Sequence, residues 1–195
     1  MAEQSLFHQL EIEAFRAGIT PRSKESIQWF RKKAGRLFPN RSDLLKDEAL
    51  TWRNRPGSGK MYMYFYDPKL KEELPFYDTF PLVLPFGPAK GGFYGINLHY
   101  LPYLLRAQVL GELLDYKTTK TYSETTKLRM SYNLLNNLKN ANEVKPCIKH
   151  YLSNHVNSRF LKVNPEDWQA AIFLPIENFV GATKEQVFRD SRSKF

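Results

Sequence analysis

Between residues 61 and 102 the chain consists of short aromatic and β-branched runs, MYMYFYDP, FPLVLPF and GGFYGINLHYLP, closed by proline, glycine or aspartate. Such runs read as strands with their turns. Proline has no N–H to give to a ladder, so Pro75, Pro81, Pro85 and Pro88 predict short strands with edges or bends where they stand. Tyr62, Tyr64 and Tyr66 alternate along the first run, which places three rings on one strand face, usually a core face. The expectation is a small, strongly bent antiparallel sheet or barrel.

Around this region the spacing turns helical. Leu6, Leu10 and Phe15 suggest a first helix ending near Gly18. Thr20-Pro21 supplies an N-cap hydroxyl and a proline at the first helical position, and Ile27, Phe30, Ala34 and Leu37 then recur at helical spacing. Ser42 to Leu50 reads as a short third helix, and Pro56-Gly57-Ser58-Gly59 as a loop. Further on, helices are predicted over Leu101–Tyr116, from Ser123-Glu124 with Leu128, Leu135 and Leu138 on the apolar side, and over Pro146–Asn154. SRFLKV reads as a strand, Asn164-Pro165-Glu166-Asp167 starts a short helix through Trp168, and Thr183 caps a last helix, KEQVFRDSR. The fold class is α+β, with several helices flanking the sheet. It divides into a basic helical N-terminal segment, 1–56, and an α+β body, 61–195, within the size of one compact domain.

Charge separates these two parts. The chain carries 29 Lys and Arg against 20 Asp and Glu, a net +9. Between Arg16 and Lys60 there are twelve basic and four acidic residues, so this segment alone holds +8. Arg31, Lys32 and Lys33 cannot all lie on the face that packs, so with Lys24 and Arg36 they project toward solvent or a partner. A polyanion or an acidic protein surface fits such a segment. The single cysteine, Cys147, excludes an internal disulfide and a cysteine-rich zinc site, which suits a reducing compartment. The polar, acidic start MAEQSLFHQLEIEAF is unlike a signal peptide, and no apolar run reaches the roughly 18 residues of a membrane span. A soluble protein is expected.

Residues with chemical potential are scattered. Gly57-Ser58-Gly59-Lys60 resembles a phosphate loop, but Asn54 and Met61 stand where the Walker pattern needs glycine and Ser or Thr. A solvated turn is the better account, and a loop that touches phosphate the alternative. Gly91, Gly92 and Gly95 suit close backbone packing in a strand turn. His8, His99, His150 and His155 are dispersed, without metal-ligand spacing, so no metal or cofactor is expected. His99 reads as a hydrogen-bonded, partly buried residue. Cys147 and His150, three apart on the predicted helix, could pair as nucleophile and base, but a buried structural cysteine is commoner. Glu112 and Asp115 have no neighbouring base or metal ligand. No catalytic constellation assembles, and the expectation is that the protein is not an enzyme.

Basic side chains with Trp29, Phe30, Trp52 and the tyrosine run have the composition of a nucleic-acid surface, with cations for phosphates and rings for stacking. The competing readings are a core for the tyrosines and a solvated or protein-docking face for the charges.

The string MYMYFYDPKLKEELPFYDTFPLVLPF (61–86), followed by GGFYGINLHYLPYLLRAQVL (91–110), KPCIKHYLSNHVNSRF (145–160) and FRDSR (188–192), resembles the DNA end protector family of virion proteins from T-even-like contractile-tailed bacteriophages. The resemblance implies a non-enzymatic structural protein, made in the bacterial host cytoplasm and carried in the virion. It would join the filled head late, at the portal vertex, and shield the packaged double-stranded DNA end. Other virion proteins would be its partners, with several copies per particle and no membrane. Composition alone nominates Arg22, Lys24, Arg31, Lys32, Lys33 and Arg36 for phosphate contact, which needs no chemistry on the DNA. A baseplate, tail-hub or neck component acting only through protein interfaces is the alternative, since such interfaces are rich in aromatics.

Overall fold

The structure, a computed structural model, describes residues 6–19, 29, 51–118, 123, 133–135, 137, 142, 144–174 and 176–193. Its strands are β1 (Thr51–Arg53), β2 (Met61–Met63), β3 (Tyr77–Asp78), β4 (Leu82–Ala89), β5 (Gly92–Asn97), β6 (Ile148–Leu152), β7 (Phe160–Val163) and β8 (Phe179–Val180). The helices are α1 (Leu6–Arg16), α2 (Tyr103–Thr118), α3 (Trp168–Ala171) and α4 (Lys184–Ser193). Among the described residues six strands form one antiparallel sheet in the order β1-β7-β2-β4-β5-β6, and β3 pairs with β8 in a separate ribbon.

Alternation decides the two sheet faces. Met61, Met63, Leu82, Leu84, Ile96, Leu161 and Val163 face the larger core, where they meet Leu10 and Ala14 of α1, Leu110 and Leu113 of α2, Trp168 and Phe173. Tyr62, Tyr64, Tyr66, Val83, Phe93, Tyr151 and Phe160 face the other way and form a second core. The tyrosine run is therefore core. On a flat sheet three strand spacings would separate β7 from β5 by about 14 Å, yet the rings of Phe160 and Phe93 lie 6.0 Å apart. The sheet curls toward its tyrosine face. The order of strands stays open from β1 to β6, so no barrel closes among the described residues.

Glycine makes part of this curl feasible. A Cβ on Gly92 would lie 1.8 Å from the Tyr151 carbonyl oxygen across the β5–β6 pair. Gly92→Ala is expected to destabilise the fold by about 1–3 kcal/mol through this overpacking. A urea midpoint equal to that of the wild type would refute the close approach.

The prolines bring the expected edge and bend, but within a longer strand than expected. β4 runs eight residues through Pro85 and Pro88, and it lies inside the sheet order, where proline predicts short interrupted strands. Of β4, only Leu82 and Val83 pair with β2, and the β4–β5 register shifts between Pro85 and Gly87. The Pro85 carbonyl accepts the Gly59 N–H at 2.9 Å. Because N and C=O of an extended residue point to the same side, the missing Pro85 N–H falls away from β5, where no ladder bond is lost.

Local signals place most of the helices. Thr183 and Gln186 form a reciprocal capping box at the start of α4: Gln186 N–H donates to Thr183 Oγ1 at 3.3 Å, and Thr183 N–H to Gln186 Oε1 at 2.8 Å. Asn97 Oδ1 accepts from His99 N–H at 3.0 Å and caps the 3₁₀ turn Leu98–Tyr100. Asn164-Pro165 begins a 3₁₀ turn that runs into α3, with Trp168 Nε1 donating to the Val163 carbonyl at 3.0 Å.

Two helical readings are corrected. Phe15 is 85% exposed, and the packing face of α1 is Leu10 with Ala14. The helix predicted over Pro146–Asn154 is a 3₁₀ turn, Lys145–Cys147, followed by β6 and a second 3₁₀ turn, Ser153–His155. The proline signal is used up in one turn. Ile148 to Leu152 then pair with the outer edge of β5, because tertiary pairing outweighs a local helix-start preference. The helix over Ser42–Leu50 lies outside the described residues, as do the one read from Thr20-Pro21 apart from Trp29 and most of the one opening at Ser123. Leu135 of that last helix is fully buried.

Candidate nucleic-acid interface

An open cleft of about 650 Å³ lies at one end of the tyrosine face. Three separate parts of the chain line it: the loop after β1 (Asn54, Arg55, Pro56, Ser58), the far half of β4 with the start of β5 (Pro85, Gly87, Pro88, Gly92, Phe93), and the connection from β6 into β7 (Ser153, Val156, Ser158, Phe160).

Each wall is tied to the sheet. The Gly57 N–H donates to the Tyr62 hydroxyl at 2.9 Å, which anchors the loop to β2. Burial raises the Tyr62 phenol above its ordinary range, against opposing effects of the Gly57 bond and the Arg53 charge, so the hydroxyl stays neutral as an acceptor. Gly59 closes the loop at φ 70°, in the left-handed region that glycine enters without strain, and its N–H reaches Pro85. On the opposite wall, Ser153 N–H donates to the Gly91 carbonyl at 2.9 Å and Asn157 N–H to the Phe65 carbonyl at 2.8 Å. Phe65 N–H in turn donates to Ser158 Oγ at 2.9 Å. Phe93 and Phe160 form the floor, the latter edge-on to Tyr64 at 4.8 Å.

Among the described residues, Arg55 is the only charged one in the lining of this cleft. Arg53, Lys60, Lys90 and Arg159 stand within two residues of lining positions. Residues 49–60, 79–111 and 144–165, which contain all three walls, hold no aspartate or glutamate. A concave site lined by a cation and no acidic side chain attracts an anion. Gly57-Ser58-Gly59-Lys60 thus forms an anchored turn, and it borders a cationic cleft.

The other nominated residues are distributed differently. Arg22, Lys24, Arg31, Lys32, Lys33 and Arg36 lie outside the described residues, as does Phe30. Trp29 is half-buried against the larger core, and the tyrosine rings are enclosed, so these aromatics do not form an open stacking platform. Cys147 and His150 do not meet as a pair. Cys147 is fully buried, its thiol pushed up to about 12 by burial, whereas His150 is exposed on β6, with its ring 5.3 Å from Tyr94 and Nε2 3.1 Å from the Lys90 carbonyl. His155 Nδ1 lies 2.8 Å from the Asp67 carbonyl. Among the described residues no three His, Cys, Asp or Glu side chains converge to hold a metal ion, and no helix is long and apolar enough to cross a membrane.

A polar network with no signature in the sequence lies beneath the sheet. His99 is fully buried, beyond the partial burial expected of it, and its Nδ1–H donates to Asp78 Oδ2 at 2.7 Å. Asp78 also accepts from Asn97 Nδ2, Phe80 N–H and Asn178 N–H at 3.1, 3.0 and 3.3 Å. Burial pushes the Asp78 carboxyl up, but His99 and these donors outweigh it and hold it below its ordinary range. His99 Nε2 meets no hydrogen-bond partner, so the Asp–His pair does not extend to a hydroxyl or thiol nucleophile. Nearby, Arg106 donates to the carbonyls of Leu101, Ile172 and His99 at 2.7, 3.1 and 3.0 Å and pairs with Glu177 at 2.7 Å. The network clamps segments distant in sequence and stands apart from the cleft lining.

No curated protein and no solved structure shows significant similarity to this chain. The strings at 61–86, 91–110 and 145–160 fall on the strands that build the curled sheet and its cleft, and it is across these strands that a family pattern runs. Over residues 4–192 the sequence matches the family described as phage T4 terminal DNA protecting protein, and the chain belongs to that family.

Proposed function

We propose that the protein is a non-enzymatic virion component that binds the terminus of its phage's packaged double-stranded DNA and shields it from exonucleases. It joins the particle late, as the head is completed at the portal vertex. The family match over residues 4–192 carries this reading. The acid-free cleft beside Arg55 and the +8 segment between residues 16 and 60 support it on charge. Blocking an end requires tight, sequence-independent contact to phosphates and no bond making. Arg22, Lys24, Arg31, Lys32, Lys33 and Arg36 would supply part of that contact, and the cleft the rest.

The test is binding of the full chain to linear and closed-circular DNA of the same sequence across a salt series, with exonuclease digestion run in parallel. Linear DNA should bind tighter, lose affinity steeply with salt and resist digestion. Lys32→Ala with Lys33→Ala should make the slope of log affinity against log salt shallower by about 2. Equal affinity for circular DNA would reject end recognition. No binding at low salt would reject DNA contact altogether and favour a neck, tail-hub or baseplate part that works only through protein interfaces.

A further inference from the structure

The dimensions of the cationic cleft point to what enters it. Its volume of about 650 Å³ is that of a small-molecule site, for which about 300–1,000 Å³ is usual. A double helix cannot enter such a space, but one or two nucleotides of a single strand can. The lining has the parts a nucleotide needs. Arg55 offers a guanidinium fork to a phosphate, Ser58 and Ser153 carry hydroxyls at the walls, and Phe93 and Phe160 give an apolar floor for a base or sugar. Duplex contact elsewhere on the protein would run along phosphates outside the cleft.

Resting on the DNA-terminus reading, we infer that the cleft receives the unpaired terminal nucleotides of one strand, so that the protein recognises an open strand end and not the duplex alone. A blunt end must first fray to reach the floor. Unstacking and unpairing a base costs free energy in a duplex, and least where the base is already single-stranded. A short overhang therefore escapes most of that penalty, whatever its sequence, because the cleft offers a phosphate contact and an apolar floor and no base-edge reader is required.

The experiment compares the full chain on two duplexes identical except that one is blunt and the other carries a three-nucleotide overhang, by fluorescence anisotropy at fixed salt. The overhang is expected to bind at least about tenfold tighter. Arg55 is exposed, so Arg55→Gln should leave the fold intact, as its thermal midpoint will verify. It should remove most of the overhang preference, lowering affinity for the overhang duplex by several-fold more than for the blunt one, which loses only one phosphate contact among many. Equal affinity of the wild type for both ends, with normal duplex binding, would overturn the strand-end inference and leave the protective role standing. An overhang preference undiminished in a folded Arg55→Gln protein would also overturn it, by placing recognition outside the cleft. Absence of binding to either end would instead remove the parent reading.

Discussion

Replacing Arg106 by methionine should cost about 3–5 kcal/mol of stability, enough to unfold much of the protein at 37 °C. Arg106 is fully buried on α2, and its guanidinium pairs with Glu177, whose side chain is 3% exposed. Removing the cation leaves a carboxylate enclosed without its counter-charge and takes the donor from three buried carbonyls, those of His99, Leu101 and Ile172. The planar fork also lies 4.5 Å from the Tyr103 ring centre and 5.7 Å from that of Phe188, so packing is lost with charge. Arg106→Lys should be nearly as damaging, because one ammonium cannot span the same acceptors. Adding Glu177→Leu to Arg106→Met should restore part of the loss by removing the unpaired charge. Urea denaturation of the three variants measures this. A wild-type midpoint for Arg106→Met would mean that the clamp contributes nothing to stability.

Acidification should weaken the fold through the same network. Burial alone would raise the Glu177 carboxyl, but the Arg106 charge, with smaller help from His99 and Lys184, brings it down from 4.5 to about 2. Its folded pKa is below its unfolded one, so the folded state binds fewer protons between these values. The stabilisation is complete above the unfolded pKa and is lost as pH falls toward the folded one. At about 1.4 kcal/mol per unit the full effect is about 3 kcal/mol, of which about 2 should be gone by pH 3. Asp78, also held below its ordinary range, acts in the same direction. Stability measured at pH 7, 5 and 3 should be flat over the first step and fall over the second. Glu177→Gln should lower stability at pH 7 and flatten the fall. A wild-type curve unchanged between pH 5 and 3 would contradict the depressed carboxyls.

The readable parts of the chain are those fixed by near neighbours. Alternation at 61–66 is enough to set Met61 and Met63 on one face and Tyr62, Tyr64 and Tyr66 on the other. Thr183 marks the start of α4, and SRFLKV its strand. The failure at Pro146–Asn154 has the same origin: Pro146 opens one 3₁₀ turn, but the open edge of β5 draws Ile148 to Leu152 into the sheet. Phe15 misleads because helical spacing tolerates several faces, and Ala14 is the residue that packs. The nominated phosphate contacts come from the densest basic run. The cleft draws its charge from three runs whose common property is the lack of acidic residues, visible in sequence only as gaps at 49–60, 79–111 and 144–165.

Sequence by itself determined the α+β class, the two-faced strand at 61–66, the concentration of +8 in residues 16–60 and the family resemblance. Each is a property of composition or of residues a few positions apart. Tertiary structure alone decided that the sheet curls until Phe93 and Phe160 share a floor, that Arg55 borders it, and that Asp78, His99, Arg106 and Glu177 are sealed beneath it. Curvature arises from pairing between strands far apart in the chain. Burial of a charge is tolerated only where partners from several segments meet it, so neither property can be read from local spacing.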